Sequence, residues 1–158
     1  MPEAGIGFQV TKSSRRKEEM HMNILVIDAQ GGGVGKQLIA AIKQRMQDVL
    51  ITAVGTNSTA TAAMLKAGAD HAATGENAVV TACRKADVII GPVGIVIADA
   101  LLGEITPVMS VAVARSDAKR ILLPFDHCDN IIVGVSDFHV GRLVQGAVAE
   151  LVKIQGNR

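Results

Sequence analysis

Residues 23–39, "NILVIDAQGGGVGKQLI", decide the fold. An apolar run closes at Asp28, four glycines fill five positions from Gly31 to Gly35, and Lys36 follows them. A short, wholly apolar run reads as a strand buried on both faces. Val34, Leu38, Ile42 and Met46 then recur every four residues, which marks one face of a helix. The join is therefore strand, glycine turn, helix. The first amides of such a helix lack intrahelical partners and can meet an anion.

Outward from this unit the pattern repeats. "VLITAVG" is a second strand; Asn57 or Ser58 caps a helix that runs to Lys66 and stops at Gly68. "HAA" is a short third strand, "ENAVVTACRKA" a helix and "DVIIG" a fourth strand. Two helical pieces follow, the second capped by Thr106 with Pro107 in its first turn. "RILLPF" reads as a fifth strand and "NIIVGV" as a sixth. Few residues join these last two, too few for a parallel crossover, so an antiparallel edge strand is expected. A final amphipathic helix carries Val140, Leu143, Val144, Ala147, Val148 and Leu151. The whole is an α/β, doubly wound, Rossmann-like, mostly parallel sheet in a single domain over residues 22–158, with its first strand central.

Residues 1–21 have no apolar period and are dense in charge and small polar residues, so a disordered extension is expected. "RRKEE" is writable in purine-only codons and stands before Met20 and Met22, which suggests a mis-start with true initiation at Met22.

Composition narrows the function. Sixteen Lys and Arg against 15 Asp and Glu give a formal charge of +1, and aromatics are 2% with no Trp or Tyr. Neither a field for nucleic acid or an anionic membrane nor a stacking platform for bases is present. The uncharged runs near residues 88–98 and 105–114 are shorter than the ~20 apolar residues a membrane span needs. Cys83 and Cys128 sit in no metal or redox spacing, no metal set is expected, and there is no charged-then-apolar leader, so a cytoplasmic setting is expected.

The glycine turn matches neither standard phosphate loop. A P-loop needs G-x-x-x-x-G-K-[ST]. Here Gln30 stands where its first glycine belongs and Gln37 where its hydroxyl belongs. G-x-G-x-x-G also fails, because Lys36 or Leu38 falls at the third glycine. The spacing of Ala29, Gly33 and Gly35, with its "GVGK" ending, resembles the G-x-x-x-G-x-G turn of short-chain dehydrogenases, with alanine at the first glycine. Those enzymes act through Tyr and Lys, and this chain has no tyrosine, so a classical short-chain oxidoreductase is excluded.

A second resemblance extends from Met22 onward. "DAQGGGVGK", "GTNSTATAAMLKAGAD", "TGENAVV", "ADVIIGPVGI" and "LGEITP" resemble an uncharacterised bacterial family, domain of unknown function thirty-eight forty-two, whose first loop usually reads "DGQGGG". The resemblance implies a small Rossmann-like domain and carries no activity.

In an open α/β sheet the ligand crevice lies beyond the carboxyl ends of the strands. Those ends read "DAQGGGVGK", "GTNS", "TGEN", "GPVGI" and "PFDHCD". Any single βα turn uses Gly, Asn or Thr for geometry and capping. Five such turns together point to a pocket. The candidate ligand-binding residues are Gln30, Gly31, Gly32, Gly33, Val34, Gly35, Lys36, Thr56, Asn57, Thr74, Gly75, Asn77, Gly91, Pro92 and Gly94. Thr56 and Asn57 either donate to a ribose or phosphate or cap a helix, and Lys36 either reaches an anion or is solvated.

Asp28, Glu76 and Glu104 are the candidate acids or bases. Asp28 either repels a pyrophosphate, and then needs a metal, Lys36 or a ligand hydroxyl or amine to compensate, or it bonds turn amides. Glu76 and Glu104 stand near helix starts, where carboxylates ordinarily complement the dipole. His127 and Cys128, with Asp126 or Asp129, suggest a nucleophile pair, but adjacent side chains on an extended stretch point apart. His71 reads as structural.

Two functions remain. One is a binder of a nucleotide, dinucleotide or other small phosphorylated ligand at the glycine loop. The other is a non-catalytic metabolite sensor or homo-oligomeric assembly module. The apolar 95–114 region, which includes "ITPVMSVAVA" and lacks a polar face, points to self-association in either case.

Overall fold

The apolar runs pair in one direction. A computed structural model describes residues 21–125 and 130–158. Its elements in order are β1 (Met22–Asp28), α1 (Gly33–Arg45), β2 (Val49–Gly55), α2 (Ser58–Lys66), β3 (His71–Thr74), α3 (Glu76–Cys83), β4 (Val88–Pro92), a 3₁₀ turn (Val93–Val96), α4 (Pro107–Arg115), β5 (Lys119–Leu123) and α5 (Val140–Gly156). All but the last residue of the N-terminal extension, and the Asp126, His127, Cys128 and Asp129 candidates, lie outside the described residues.

The strands form one sheet in the order β3-β2-β1-β4-β5, with every pairing parallel. β1 is central, as its sequence implies: Ile24 lies between Ile51 and Val88, and Val26 between Ala53 and Ile90. Strand side chains alternate between faces. Ile24 and Val26 pack with Leu38 and Ile42 of α1, Met64 of α2 and Val148 of α5. Leu25 and Ile27 pack on the other side with Val79 of α3, Met109 and Val113 of α4, and Ile95. Each fully buried aliphatic side chain contributes about 1.5–3 kcal/mol. The continuous apolarity of β1 follows from this two-sided burial.

The helix boundaries follow local chemistry. Asn57 Oδ1 accepts the Ala60 amide at the start of α2, and Thr106 Oγ1 accepts the Met109 amide at the start of α4 beside Pro107. Gly68 takes φ +114 just beyond α2, a conformation that needs glycine.

The expected antiparallel edge strand is corrected by the structure. Among the described residues the sheet has five strands, all parallel, and "NIIVGV" contributes none. Its composition favours a strand, but a turn at Val133 and Gly134, with Gly134 at φ +91, interrupts it. The Val135 amide closes that turn on the Ile132 carbonyl at 3.4 Å. Ile131 and Val133 are both 93% exposed, so no core face holds the segment against β5.

Candidate functional site

Parallel order 3-2-1-4-5 creates a switch point between β1 and β4. The helix after β1 packs on one layer, and the 3₁₀ turn and helix after β4 pack on the other. Ligands of open α/β sheets bind in the crevice such a divergence leaves. A cleft of about 270 Å³ opens there, lined by Asp28, Ala29, Gln30, Gly31, Gly33, Val34 and Gln37 on one side. Pro92, Val93 and Gly94 line the other, with Leu101, Phe125 and Val140.

The four glycines divide their work. Gly32 has φ +70, and a Cβ there would lie 2.8 Å from the Ala60 carbonyl oxygen. Gly35 lies against Met64, where a Cβ would be 2.9 Å from Met64 Cγ and 3.0 Å from Asp28 Cβ. These two glycines let α1 approach α2 and β1. At Gly31 and Gly33 φ is not left-handed, and a Cβ would meet no atom within 4 Å. Both line the cleft, and their amides have no hydrogen-bond partner among the described residues. Neither turn geometry nor packing requires glycine there.

Asp28 is 5% exposed at the floor of this cleft. Its Oδ1 accepts the Ala29 amide at 2.8 Å and its Oδ2 the Gly35 amide at 2.7 Å. Burial raises its pKa above the ordinary 3.8; the amides of Gly35, Ala29 and Val34 oppose that, and the charge of Glu104 adds to it. The turn-amide alternative for Asp28 is thus the arrangement present, and the Gly35 amide turns to this carboxylate rather than to the cleft.

Gln30 is left-handed, with φ +51. Its amide donates to Glu104 Oε2 at 2.7 Å, and its carbonyl accepts Asn57 Nδ2 at 2.9 Å. Asn57 Nδ2 also donates to Glu104 Oε1 at 2.7 Å. Glu104 therefore faces the glycine turn with both oxygens engaged. Glu76 stands apart from it, with Oε2 accepting the Thr106 hydroxyl at 2.6 Å.

Residues 23–156 match the family described as "Domain of unknown function (DUF3842)". The chain belongs to the DUF3842 family. No curated protein matches it. Among solved structures it is similar to the dodecameric FMN-dependent UbiX-like decarboxylase of Escherichia coli O157:H7, with 18% identity and a TM-score of 0.41 over 83% of this chain and 76% of that one.

Of the residues singled out in the DUF3842 sequence, the cleft gathers Asp28, Gln30, Gly31, Gly33, Val34, Pro92 and Gly94. Others lie outside its lining. Lys36 and Asn77 are exposed, the Thr74 hydroxyl meets that of Thr61 at 2.7 Å, and the Gly75 amide donates to the Gly55 carbonyl. Gly91 is packed against the Ile27 carbonyl, and the buried Thr56 hydroxyl has no partner among the described residues. Gln37, Val93, Leu101, Phe125 and Val140 were missed by sequence reasoning. Gln37 was findable, because it lies one helical turn beyond Gly33 and Gln37 Nε2 donates to the Gly33 carbonyl at 3.2 Å. Phe125 lies two residues beyond the end of β5, but Val140 arrives from a distant helix with no local signal.

A larger groove of about 690 Å³ lies over β2 and beside α3, lined by residues such as Leu50, Thr52, Ala73 and Lys85. None of the glycine-turn residues lines it. Cys83 is the last residue of α3, where burial pushes its thiol up to about 11 and leaves it unreactive at neutral pH. Among the described residues no three His, Cys, Asp or Glu side chains form a metal set, and no helix is long and apolar enough to cross a membrane.

Proposed function

We propose that this DUF3842 protein binds a nucleotide, dinucleotide or other phosphorylated small molecule in the cleft between β1 and β4. The supporting observation is the pair Gly31 and Gly33: two glycines that the fold does not require, both lining the cleft with amides unpartnered among the described residues. A side chain at either would cover backbone donors that suit a phosphate.

The rest of the lining completes the reading. Val93, Leu101, Phe125 and Val140 offer an apolar wall for a base or ring. At about 270 Å³ the cleft is slightly smaller than the ~300–1,000 Å³ of drug-sized sites, so it suits a mononucleotide or one half of a dinucleotide. Asp28 favours a donor, such as a ribose hydroxyl or an amine, on its side and leaves the phosphate to Gly31 and Gly33. Lys36, exposed on the first turn of α1, supplies a nearby positive charge.

The test is a thermal-shift panel of ATP, GTP, NAD, NADP, FAD and S-adenosylmethionine, with and without magnesium. A ligand at a hundredfold over its Kd stabilises by about 2.7 kcal/mol, several degrees for a chain of this size. If none shifts the melting curve, the reading falls and the glycines serve only the strand-to-helix turn. The assembly-module reading is favoured by a separate feature, the exposed Val108 and Val111 on the outer side of α4.

A further inference from the structure

We infer that Glu104 is a positioning residue for the glycine turn: by holding Gln30 left-handed it presents the Gly31 and Gly33 amides to the cleft. The consequence for ligand binding rests on the phosphorylated-ligand reading above; the positioning itself does not.

Gln30 is the residue immediately before the glycine run, and it occupies a conformation that L side chains rarely adopt. Its backbone is fixed at both polar groups by side chains from other loops. Glu104, 74 residues away in sequence, takes the amide, and Asn57, 27 residues away, gives to the carbonyl. Asn57 is itself immobilised, since its Oδ1 accepts the Ala60 amide while its Nδ2 bridges Gln30 and Glu104. Removing Glu104 therefore frees one Gln30 group directly and loosens the holder of the other.

A second observation concerns how Glu104 reaches this place. The segment between the 3₁₀ turn and α4 contains three left-handed non-glycine residues, Asp99 at φ +63, Leu101 at +56 and Leu102 at +59, followed by Gly103 at +82. Such backbone persists only where its surroundings over-determine it. Core packing does not explain it at Leu102, which is 96% exposed. The Asp99 amide bonded to the Ile105 carbonyl at 2.8 Å closes the segment into a tight loop. The loop turns the Glu104 carboxylate back onto Gln30 and sets Leu101 in the cleft wall. One carboxylate thus couples a strained loop to the glycine turn. With both oxygens engaged, Glu104 is suited to holding the turn rather than to exchanging a proton.

The experiment is ¹⁵N-amide NMR of the full chain as wild type, Glu104→Ala and Glu104→Gln, each titrated with ATP and with NAD. Gly146 on the outer side of α5 serves as the reference amide. In Glu104→Ala the Gly31 and Gly33 resonances should move while Gly146 stays. Nucleotide affinity should fall about tenfold, the scale of one lost hydrogen bond to a charged group. Glu104→Gln, which still offers Gln30 an acceptor, should fall between the two, and it carries the test alone if the alanine variant does not fold. Unmoved Gly31 and Gly33 resonances in a folded variant overturn the positioning role. Moved resonances with unchanged nucleotide affinity overturn its consequence for binding. Absence of binding by wild type overturns the ligand reading instead, and the resonances still decide the positioning.

Discussion

Asp28 Oδ2 accepts the Gly35 amide at 2.7 Å, so the last residue of β1 holds the first turn of the helix that follows it. The positive end of α1 thereby meets a carboxylate of its own chain. Gly35 makes the approach close, since its missing side chain leaves the space taken by Met64. The glycines on either side of that contact answer to different demands, and substitution separates them.

Gly33→Val should change stability by no more than about 0.5 kcal/mol, because a Cβ there meets nothing, yet it should abolish the ligand-induced melting shift. Gly35→Ala should do the reverse. Met64 is fully buried, and overpacking of this kind costs about 1–3 kcal/mol. Melting curves with and without ATP check both. Equal destabilisation by the two substitutions would show that the turn has one role rather than two.

That division was beyond the reach of the sequence. The strands and helices were legible because apolar runs and four-residue repeats are local, and β1 was legible as central because residues 24–27 are all apolar. The roles of Gly32 and Gly35 depend on Ala60 and Met64, about thirty residues on, which no spacing rule connects to them. "NIIVGV" failed for the opposite reason: its local strand propensity is real, but Gly134 turns the chain and no core face receives Ile131 or Val133. At the cleft, the glycine turn was legible as part of the lining, whereas the apolar wall comes from Leu101, Phe125 and Val140 on separate loops and helices.

A second carboxylate ties the opposite end of α1. Lys43 Nζ donates to both oxygens of Asp70 at 2.8 Å, and Asp70 Oδ2 also accepts the Ile51 amide of β2 at 2.8 Å. Burial works to raise the Asp70 pKa, but the Ile51 amide and Lys43 outweigh it, and the net value lies below 3.8. A depressed folded-state pKa adds stability above the unfolded value, lost as pH falls through the folded one. Asp70→Asn should therefore cost about 0.5–1 kcal/mol at pH 7, with the partial exposure of the pair keeping the cost small. Melting temperatures of the two proteins should converge below pH 3.8. A gap that persists at low pH would assign the effect to packing.

Self-association is expected through α4. Its inner side, Met109 and Val113, is buried against the sheet, while Val108 and Val111 remain 51% and 44% exposed on the other. Covering these valines in a second copy of the chain would remove apolar surface from water. Sedimentation at micromolar concentration should give a species heavier than the 16.5 kDa chain, and Val111→Glu should shift it toward monomer. A wild type that sediments only as monomer rules this out.

Asp28 yields the prediction with the most to say about the ligand. Its folded-state pKa is raised by burial, so its contribution to stability is fully present below 3.8 and is lost as pH rises through the folded value. Asp28→Asn removes that slope. It also sets an NH₂ against one of the amides that Asp28 now accepts, at a roughly pH-independent cost of about 1–3 kcal/mol. The melting advantage of wild type over Asp28→Asn should accordingly be largest at acid pH and shrink toward pH 7; an advantage that grows with pH would contradict the dominance of burial. The same pair of proteins reads out the ligand. An ionised Asp28 at 4 Å from a phosphate charge repels it by roughly 4 kcal/mol at an effective dielectric near 20. Asp28→Asn should then tighten the binding of free pyrophosphate and weaken that of a ligand held through a metal or a ribose hydroxyl. Titrations with pyrophosphate, with ATP and magnesium, and with NAD separate these outcomes. If none of the three affinities changes, Asp28 acts on the turn alone and no phosphate approaches it.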